Sequence, residues 1–311
     1  MSQDELILRP MVEADRARIM EISSQIWDGE DWVPEALTDW LNEKTGEAVA
    51  AVLDKQIVGF AHRTWLCPKH AWFEGLRTDP ACRGQGTAKA MTQYMIQSAH
   101  RAGAGTIHLS TYIDNKASIH ILESFGFKRV AEFVLLERPA GGESTARSSN
   151  AIEPIGEEEA AEFVARSPFL ELAHRRFPHG WRFFPFDIDP RAAVSRLETR
   201  IGIRRDDALA ALACVRECVG GIGAVTLNFC DGTTEAMRRL VEEIHRLYGG
   251  RKIETKLPKT IHGEAAVLPI LREHGYQAWN DFDADVFAYE LALSEPQSDR
   301  PQAALPGQLD L

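Results

Sequence analysis

The apolar positions of this chain change period several times, and each change marks an element. Leu6 to Arg9 is a short extended run. Val12, Ile19, Met20, Ile22 and Ile26 then recur at helical spacing. Pro34 opens a second helix carrying Leu37, Trp40 and Leu41, because its fixed φ suits a first helical position. Val49–Leu53 and Ile57–Leu66 flank Asp54-Lys55 and predict a hairpin. Another strand is expected from His70 to Leu76. Ala88, Met91, Tyr94, Met95 and Ala99 predict a long amphipathic helix that stops around Gly103 and Gly105. Thr106–Thr111 is a strand and Lys116–Phe125 a short helix ended by Gly126. Phe127–Val130 and Phe133–Glu137 are expected as two closing strands.

The order then starts again. Pro139 to Asn150 is small and polar, a linker by composition. Glu157–Arg166 is helical, and Leu209–Val219 and Gly223–Phe229 are strands. Met237, Leu240, Val241, Ile244 and Leu247 mark a long helix ending at Gly249-Gly250, followed by a strand over Lys252–Lys256. A helix closes on Leu271-Arg-Glu-His-Gly275-Tyr276, which echoes Leu122-Glu-Ser-Phe-Gly126-Phe127 about one domain earlier. Asp285–Leu291 is a last strand, and the proline-rich stretch after it is expected to be disordered. The organisation expected is a first domain over 1–139, a linker over 140–150, a second domain over 151–293 and a tail over 294–311.

Between the strand ending at Leu76 and the long helix lies Asp79-Pro-Ala-Cys-Arg83-Gly84-Gln85-Gly86-Thr87-Ala88. Such a turn can aim several backbone N–H groups at one anion. Gly84 and Gly86 have no side chain to block close approach, and the helix dipole adds positive potential. Arg83 supplies a fixed charge suited to phosphate. The turn is thus a candidate phosphate or pyrophosphate site, although a lone Gly-x-Gly before a helix is equally often a tight connection. A P-loop fits poorly, because Gly-Lys-Ser/Thr is missing. A dinucleotide fingerprint also fits poorly, because Thr-Ala-Lys-Ala follows Gly86.

The pattern Leu76-x-Thr78-x-Pro80-x-x-Arg83-Gly84-x-Gly86-x-Ala88 resembles the acyl-coenzyme A binding motif of the GNAT family of N-acetyltransferases. A second signature of that family follows in Asn115-Lys-Ala-Ser118-Ile-His-Ile-Leu122-Glu-Ser-Phe-Gly126-Phe127. The resemblance implies an α/β (α+β) fold of two tandem GNAT-like domains, each a mixed central sheet flanked by helices. It also implies that two central parallel strands splay apart and admit the pantetheine arm. Leu76, Arg77 and Thr78 would form the backbone edge for that arm. Arg83, Gly84, Gln85, Gly86, Thr87 and Ala88 would cradle the pyrophosphate of acetyl-coenzyme A. Asn115 would touch the arm from the second strand's end, or cap its helix, or both. In the second half the strand–helix connection is only Cys230-Asp-Gly-Thr233, with no arginine and no double glycine, so that copy is expected to be degenerate.

The implied reaction is transfer of an acetyl group from acetyl-coenzyme A to a primary amine by direct attack in a ternary complex. The acceptor must lose a proton, the developing oxyanion must meet a donor, and the thiolate gains from an acid. A strand bulge near Leu76, as in the family, would supply the oxyanion's N–H. Glu74 is the expected base, acting through a water and gaining basicity from burial. A strand-face salt bridge is its plainer role. Asp28, Glu30 and Asp31 are rivals in the region that lines the family's acceptor pocket. For the acid, many relatives carry tyrosine where Leu122 stands, so Tyr112 or a water is the substitute. The missing tyrosine also allows a different class of function, a coenzyme A sensor or scaffold without turnover. A different acyl donor or a hydroxyl acceptor is a third possibility.

Composition narrows the partners. With 311 residues, 44% of them hydrophobic, the chain has enough for two cores. A formal charge of −11 without a long basic run argues against nucleic acid. The acceptor is left as the amine of a small molecule or a protein, and the chain as a monomer or homodimer. Five cysteines without Cys-x-x-Cys point to a reducing compartment, with Cys214 and Cys218 as small buried hydrophobes. No apolar stretch reaches the ~20 residues of a membrane span, and Met-Ser-Gln-Asp-Glu does not resemble a signal peptide, so a cytoplasmic protein with no membrane partner is expected. The histidines His62, His70, His108 and His120 lack metal-ligand spacing, and no metal is expected.

Overall fold

A computed structural model of the chain describes residues 6–141, 152–217, 225–260, 263–281 and 283–294. The expected linker from residue 142 on, the tail from 295 and Cys218 lie outside the described residues. The first half runs β1 (Ile7–Pro10), α1 (Arg16–Ser23), α2 (Val33–Asn42), β2 (Glu47–Leu53), β3 (Gln56–Cys67), β4 (His70–Thr78), α3 (Thr87–Arg101), β5 (Thr106–Tyr112), α4 (Lys116–Ser124) and β6 (Lys128–Arg138). The second runs β7 (Ile152–Pro154), α5 (Glu157–Ala165), α6 (Pro168–Leu172), β8 (Arg176–His179), β9 (Arg182–Pro185), α7 (Pro190–Ser195), β10 (Thr199–Arg205), β11 (Ala208–Glu217) and β12 (Val225–Gly232). It continues with α8 (Thr234–Tyr248), β13 (Ile253–Thr260), β14 (Gly263–Glu264), α9 (Leu268–Glu273), β15 (Gln277–Ala278) and β16 (Val286–Ala292).

Local chemistry accounts for the boundaries. Asp54 and Lys55 both take positive φ, as a two-residue hairpin turn demands. Gly103 and Gly126, at φ +90° and +88°, end α3 and α4 in a left-handed conformation that costs glycine nothing. Alternation along β2 divides the first half's core. Ala48 and Ala50 pack with Ile19, Ile22, Val33, Leu37 and Trp40 of α1 and α2. Val49 and Ala51 pack on Met95 and Met91 of α3, on the opposite face.

One mixed sheet runs through the whole molecule in the order β1-β2-β3-β4-β5-β16-β6-β13-β12-β11-β10-β7, while β8 and β9 form a separate hairpin. Among the described residues a single parallel pair in each half interrupts the antiparallel order, β4 with β5 and β12 with β13. The final strands are exchanged. β16, last in the chain, lies between β5 and β6 of the first half, antiparallel to both. β6 in turn carries its second stretch, Phe133 to Arg138, along β13 of the second half. The two closing strands expected over 127–137 are therefore one strand. Ala131-Glu132 offers no turn chemistry, and continuous pairing, first with β16 and then with β13, keeps the chain extended. At the crossover Asp285 is fully buried and its carboxylate accepts the N–H of Leu135 at 2.8 Å.

Candidate active site

β4 and β5 pair over only three positions, His70 with Thr106, Ala71 with Ile107 and Trp72 with His108. Both strands continue, β4 to Thr78 and β5 to Tyr112, without pairing with each other. The edge of β4 that faces β5 is therefore open from Phe73 onward. On its other edge β4 pairs with β3, with a bulge: Phe60 opposes Arg77 and His62 opposes Glu74, so Gly75 and Leu76 share one partner position. Gly75 sits at φ +62°, and a Cβ there would lie 2.1 Å from the Trp40 ring, so the bulge depends on glycine at that position. Leu76 is exposed at the bulge. The bulge expected near Leu76 is present, and it re-aims the strand where the gap opens.

The glycine turn stands at the mouth of that gap. Arg83, Gly84, Gln85 and Gly86 are exposed. Gly84 and Gly86 take φ +78° and +84°, and nothing lies within 4 Å of a Cβ built on either. Gly86 caps α3 without any side-chain hydrogen bond, and the first turn of the helix holds no acidic residue. Helix geometry leaves the N–H groups of that turn without intrahelical acceptors. The turn is held from below: Asp79 bonds the N–H of Ala81 at 2.8 Å and pairs with Arg18 of α1. The residues present fit a diphosphate, because the space is open, the amides are unspent and the side-chain charges, Arg83 and Lys89, are both positive. Thr78 contributes a buried hydroxyl with no partner among the described residues.

Arg77 does not point into the gap. Its guanidinium bonds Asp31 at 2.8 Å and covers the Trp27 ring at 4.4 Å, fastening β4 to the acidic loop before α2. This removes Asp31 from contention as a free base, because its side chain is fully buried in that pair. Asp28 and Glu30 are exposed. Asn115 caps α4 by accepting the N–H of Ser118 at 3.3 Å and is itself exposed, so its amide N–H₂ is left for another partner.

Glu74 faces the other way from α3, towards the second half. Its side chain is 8% exposed. Arg182, at the start of β9, grips both carboxylate oxygens at 2.8 and 2.9 Å, and His62 Nδ1 lies 3.1 Å from Oε1. His62 stacks on Trp40 with centroids 4.6 Å apart, and its Nε2 lies 3.2 Å from Glu43 Oε2, out of hydrogen-bonding alignment. Burial alone would raise the Glu74 pKa. The bonds from His62 and Arg182 outweigh it and hold the carboxyl down at about 2. The sequence-based expectation that burial makes Glu74 more basic is thus corrected, because an arginine more than 100 positions away in the chain supplies the countercharge.

Tyr112 lies on the same face of β5 as His108 and Ser110, at the far end of the gap. Its hydroxyl accepts from the Asn280 amide, its ring lies 5.8 Å from Trp279, and burial raises its pKa, so the phenol is protonated at neutral pH. Leu122 is buried against Ala71, Leu109 and Phe127 and offers no acid.

The second half has the same splay without the opening. β12 and β13 pair over Val225–Leu227 and Ile253–Thr255, and β12 bulges at Asn228. Only Thr233 separates β12 from α8, and its N–H is spent on the Ala210 carbonyl at 2.9 Å. A Cβ on Gly232 would meet that same carbonyl at 2.3 Å. Glu235 adds negative charge to the helix's first turn. α6 packs across β12 and β13, with Phe169 on Phe229 at 5.0 Å and its N–H bonded to Asp231 at 3.0 Å. Sequence reasoning missed three residues that matter here, Arg182, His62 and Asn228. His62 carried a weak signal, a histidine inside an apolar strand.

Among the described residues no group of three or more His, Cys, Asp or Glu could hold a metal ion, no helix is long and apolar enough to cross a membrane, and Cys67, Cys82, Cys214 and Cys230 are free thiols. Residues 16–127 match the model of the Acetyltransferase (GNAT) family. Over 124 residues the chain is 27% identical to the N-alpha-acetyltransferase RimI of Mycobacterium tuberculosis, covering 39% of this chain and 77% of that protein. The GCN5-related N-acetyltransferase of Sphaerobacter thermophilus superposes with a TM-score of 0.61 at 17% identity, over 92% of this chain and 95% of that one. A tandem GNAT protein from the clavulanic acid biosynthesis pathway superposes with a TM-score of 0.59 at 11% identity, over 95% of this chain and all of that one.

Proposed function

We propose, from the premise that the first half of this chain belongs to the GNAT family of acetyltransferases, that it transfers an acetyl group from acetyl-coenzyme A to a primary amine. The observation that carries the proposal is the unpaired gap between β4 and β5 beneath an exposed turn of two glycines. In this reading Arg83, Gly84, Gln85, Gly86, Thr87 and Ala88 hold the diphosphate. The open backbone edge at Leu76, Arg77 and Thr78 pairs with the pantetheine amides, with Asn115 opposite. The bound thioester supplies an electrophilic carbonyl. The bulge at Gly75–Leu76 presents backbone N–H to the negative charge that develops on its oxygen.

Glu74 and Tyr112 flank the gap on the acceptor side. Glu74, kept ionised by Arg182 and His62, orients the acceptor amine through a water, and the proton passes from that water to solvent rather than resting on the carboxylate. In this reading Tyr112, a neutral phenol, donates the proton to the departing thiolate. The second half binds no coenzyme A and walls the acceptor pocket, so the chain is divided as 1–139 and 151–293 with only the first part catalytic. The reaction belongs in the cytoplasm, where free thiols stay reduced. The acceptor is the amine of a small molecule or of a protein.

A second reading is a coenzyme A-binding module without turnover. It is favoured by Leu122 being buried where the family often has tyrosine, and by Arg182 occupying Glu74. Release of free thiol from acetyl-coenzyme A over a panel of amines separates the two. The proposal expects thiol release that depends on the amine. Coenzyme-induced stabilisation with no turnover on any amine would overturn it in favour of the second reading.

A further inference from the structure

The hairpin of β8 and β9 belongs to the second half, yet its tip spans both flanks of the gap in the first. Arg182 holds Glu74 on β4 with two hydrogen bonds. One residue earlier, the Trp181 carbonyl accepts the hydroxyl of Ser110 on β5 at 2.7 Å. The two strands that separate after Trp72 and His108 are thus rejoined, on the acceptor face, by adjacent residues of another element. Further along the hairpin, Arg176 pairs with Glu290 of β16, which in turn lies 3.0 Å from His108 Nδ1.

The tip is mounted on the second half's own splay. The Gly180 N–H donates to Asn228 Oδ1 at 2.7 Å, and Asn228 is the buried bulge residue of β12. The Lys256 ammonium, on β13 just past its last pairing with β12, lies 4.5 Å over the Trp181 ring. The bulge and the diverging strand, which in the first half border the candidate cofactor gap, here support a hairpin. A buried asparagine with a backbone partner costs far less than one without, so the contact is specific.

We propose that the second half completes the first half's acceptor site through this hairpin, and that Arg182 is a positioning residue that fixes the orientation of the Glu74 carboxylate. The proposal rests on Glu74 serving the acceptor side, as argued above. The charged groups facing Glu74 are His62 from β3 with Glu43 behind it, and Arg182 from β9. Behind Arg182 stand His179 of β8, Arg196 after α7 and Arg216 of β11. With Arg182 removed, Glu74 keeps the His62 hydrogen bond alone, burial regains its influence and the carboxyl must titrate higher.

The test is a titration of the Glu74 carboxyl in the full chain by ¹³C NMR, assigned with Glu74→Gln, which requires no turnover. In the native chain the signal stays that of a carboxylate from pH ~8 down to ~4.5, and in Arg182→Met its midpoint rises into that window, a shift of about 2.5 pH units or more from the native value of about 2. A signal that in Arg182→Met also stays that of a carboxylate down to pH ~4.5 overturns the proposal. Should Arg182→Met fail to fold, Arg182→Lys keeps the charge but not the fork, and must move the midpoint in the same direction. With an active amine the acid limb of kcat/KM moves up by the same amount in Arg182→Met, while the affinity for coenzyme A changes by less than about twofold. Native turnover without any shift in Arg182→Met contradicts this inference alone. A shift in the carboxyl signal without turnover contradicts only the functional reading.

Discussion

Gly86→Glu abolishes the rise in melting temperature that coenzyme A gives the native chain, and leaves a folded protein. The backbone at Gly86 has φ +84°, so any side chain costs about 1–3 kcal/mol of local strain. Nothing lies within 4 Å of the added Cβ, so the fold absorbs that cost without a clash. The new carboxylate, however, stands at the N-terminus of α3, where the free amides point and where the diphosphate would lie. Repulsion between two anions and the occupied amides together remove about 100-fold or more in affinity, roughly 2.7 kcal/mol. At about 100 Kd of ligand the native chain gains a similar amount of stability, so the variant's thermal shift falls to nearly nothing. A variant with the full shift would place the phosphates elsewhere.

A chain that ends at Asp285 does not fold. β16 contributes Val286, Phe287, Ala288 and Tyr289, each below a tenth exposed, and it fills the place between β5 and β6. Burial of the three large side chains is worth about 1.5–3 kcal/mol each, and the loss of two ladders leaves backbone groups of both neighbours unpaired. The sum, on the order of 6 kcal/mol or more, approaches the whole stability of an ordinary domain. The expected result is insoluble or molten material by near-ultraviolet circular dichroism. A soluble product with the native melting temperature would show that β16 is dispensable to the first half's sheet.

What could be read from the chain alone followed from local rules. The turn at 83–88 was legible because glycine at Gly84 and Gly86 answers a backbone demand that no other residue meets cheaply. Asp54-Lys55, Gly103 and Gly126 were legible for the same reason. The exchange of β6 and β16 was not, because strand partners are chosen across the whole sheet, and neither strand's alternation says which edge it joins. The region 167–205 gave no pattern, since β8 and β9 have four residues each and their aromatic positions Phe177, Phe183 and Phe184 fit no single period. Glu74 was recognised as a special carboxylate, but the sign of its shift depended on Arg182, whose place is set by the hairpin's mount on Asn228. The contrast between Gly86 and Thr233 was visible as a difference in loop length. Its physical meaning, amides left open in one half while in the other Gly232 and Thr233 spend theirs on Asp231 and Ala210, appeared only in three dimensions.

The central claim is that one strand–helix turn of the two grips a diphosphate. Isothermal titration of the full chain with coenzyme A tests it most directly. The account predicts about one molecule bound per chain, and none in Gly86→Glu. Two molecules per chain, or one that persists in Gly86→Glu, would contradict it.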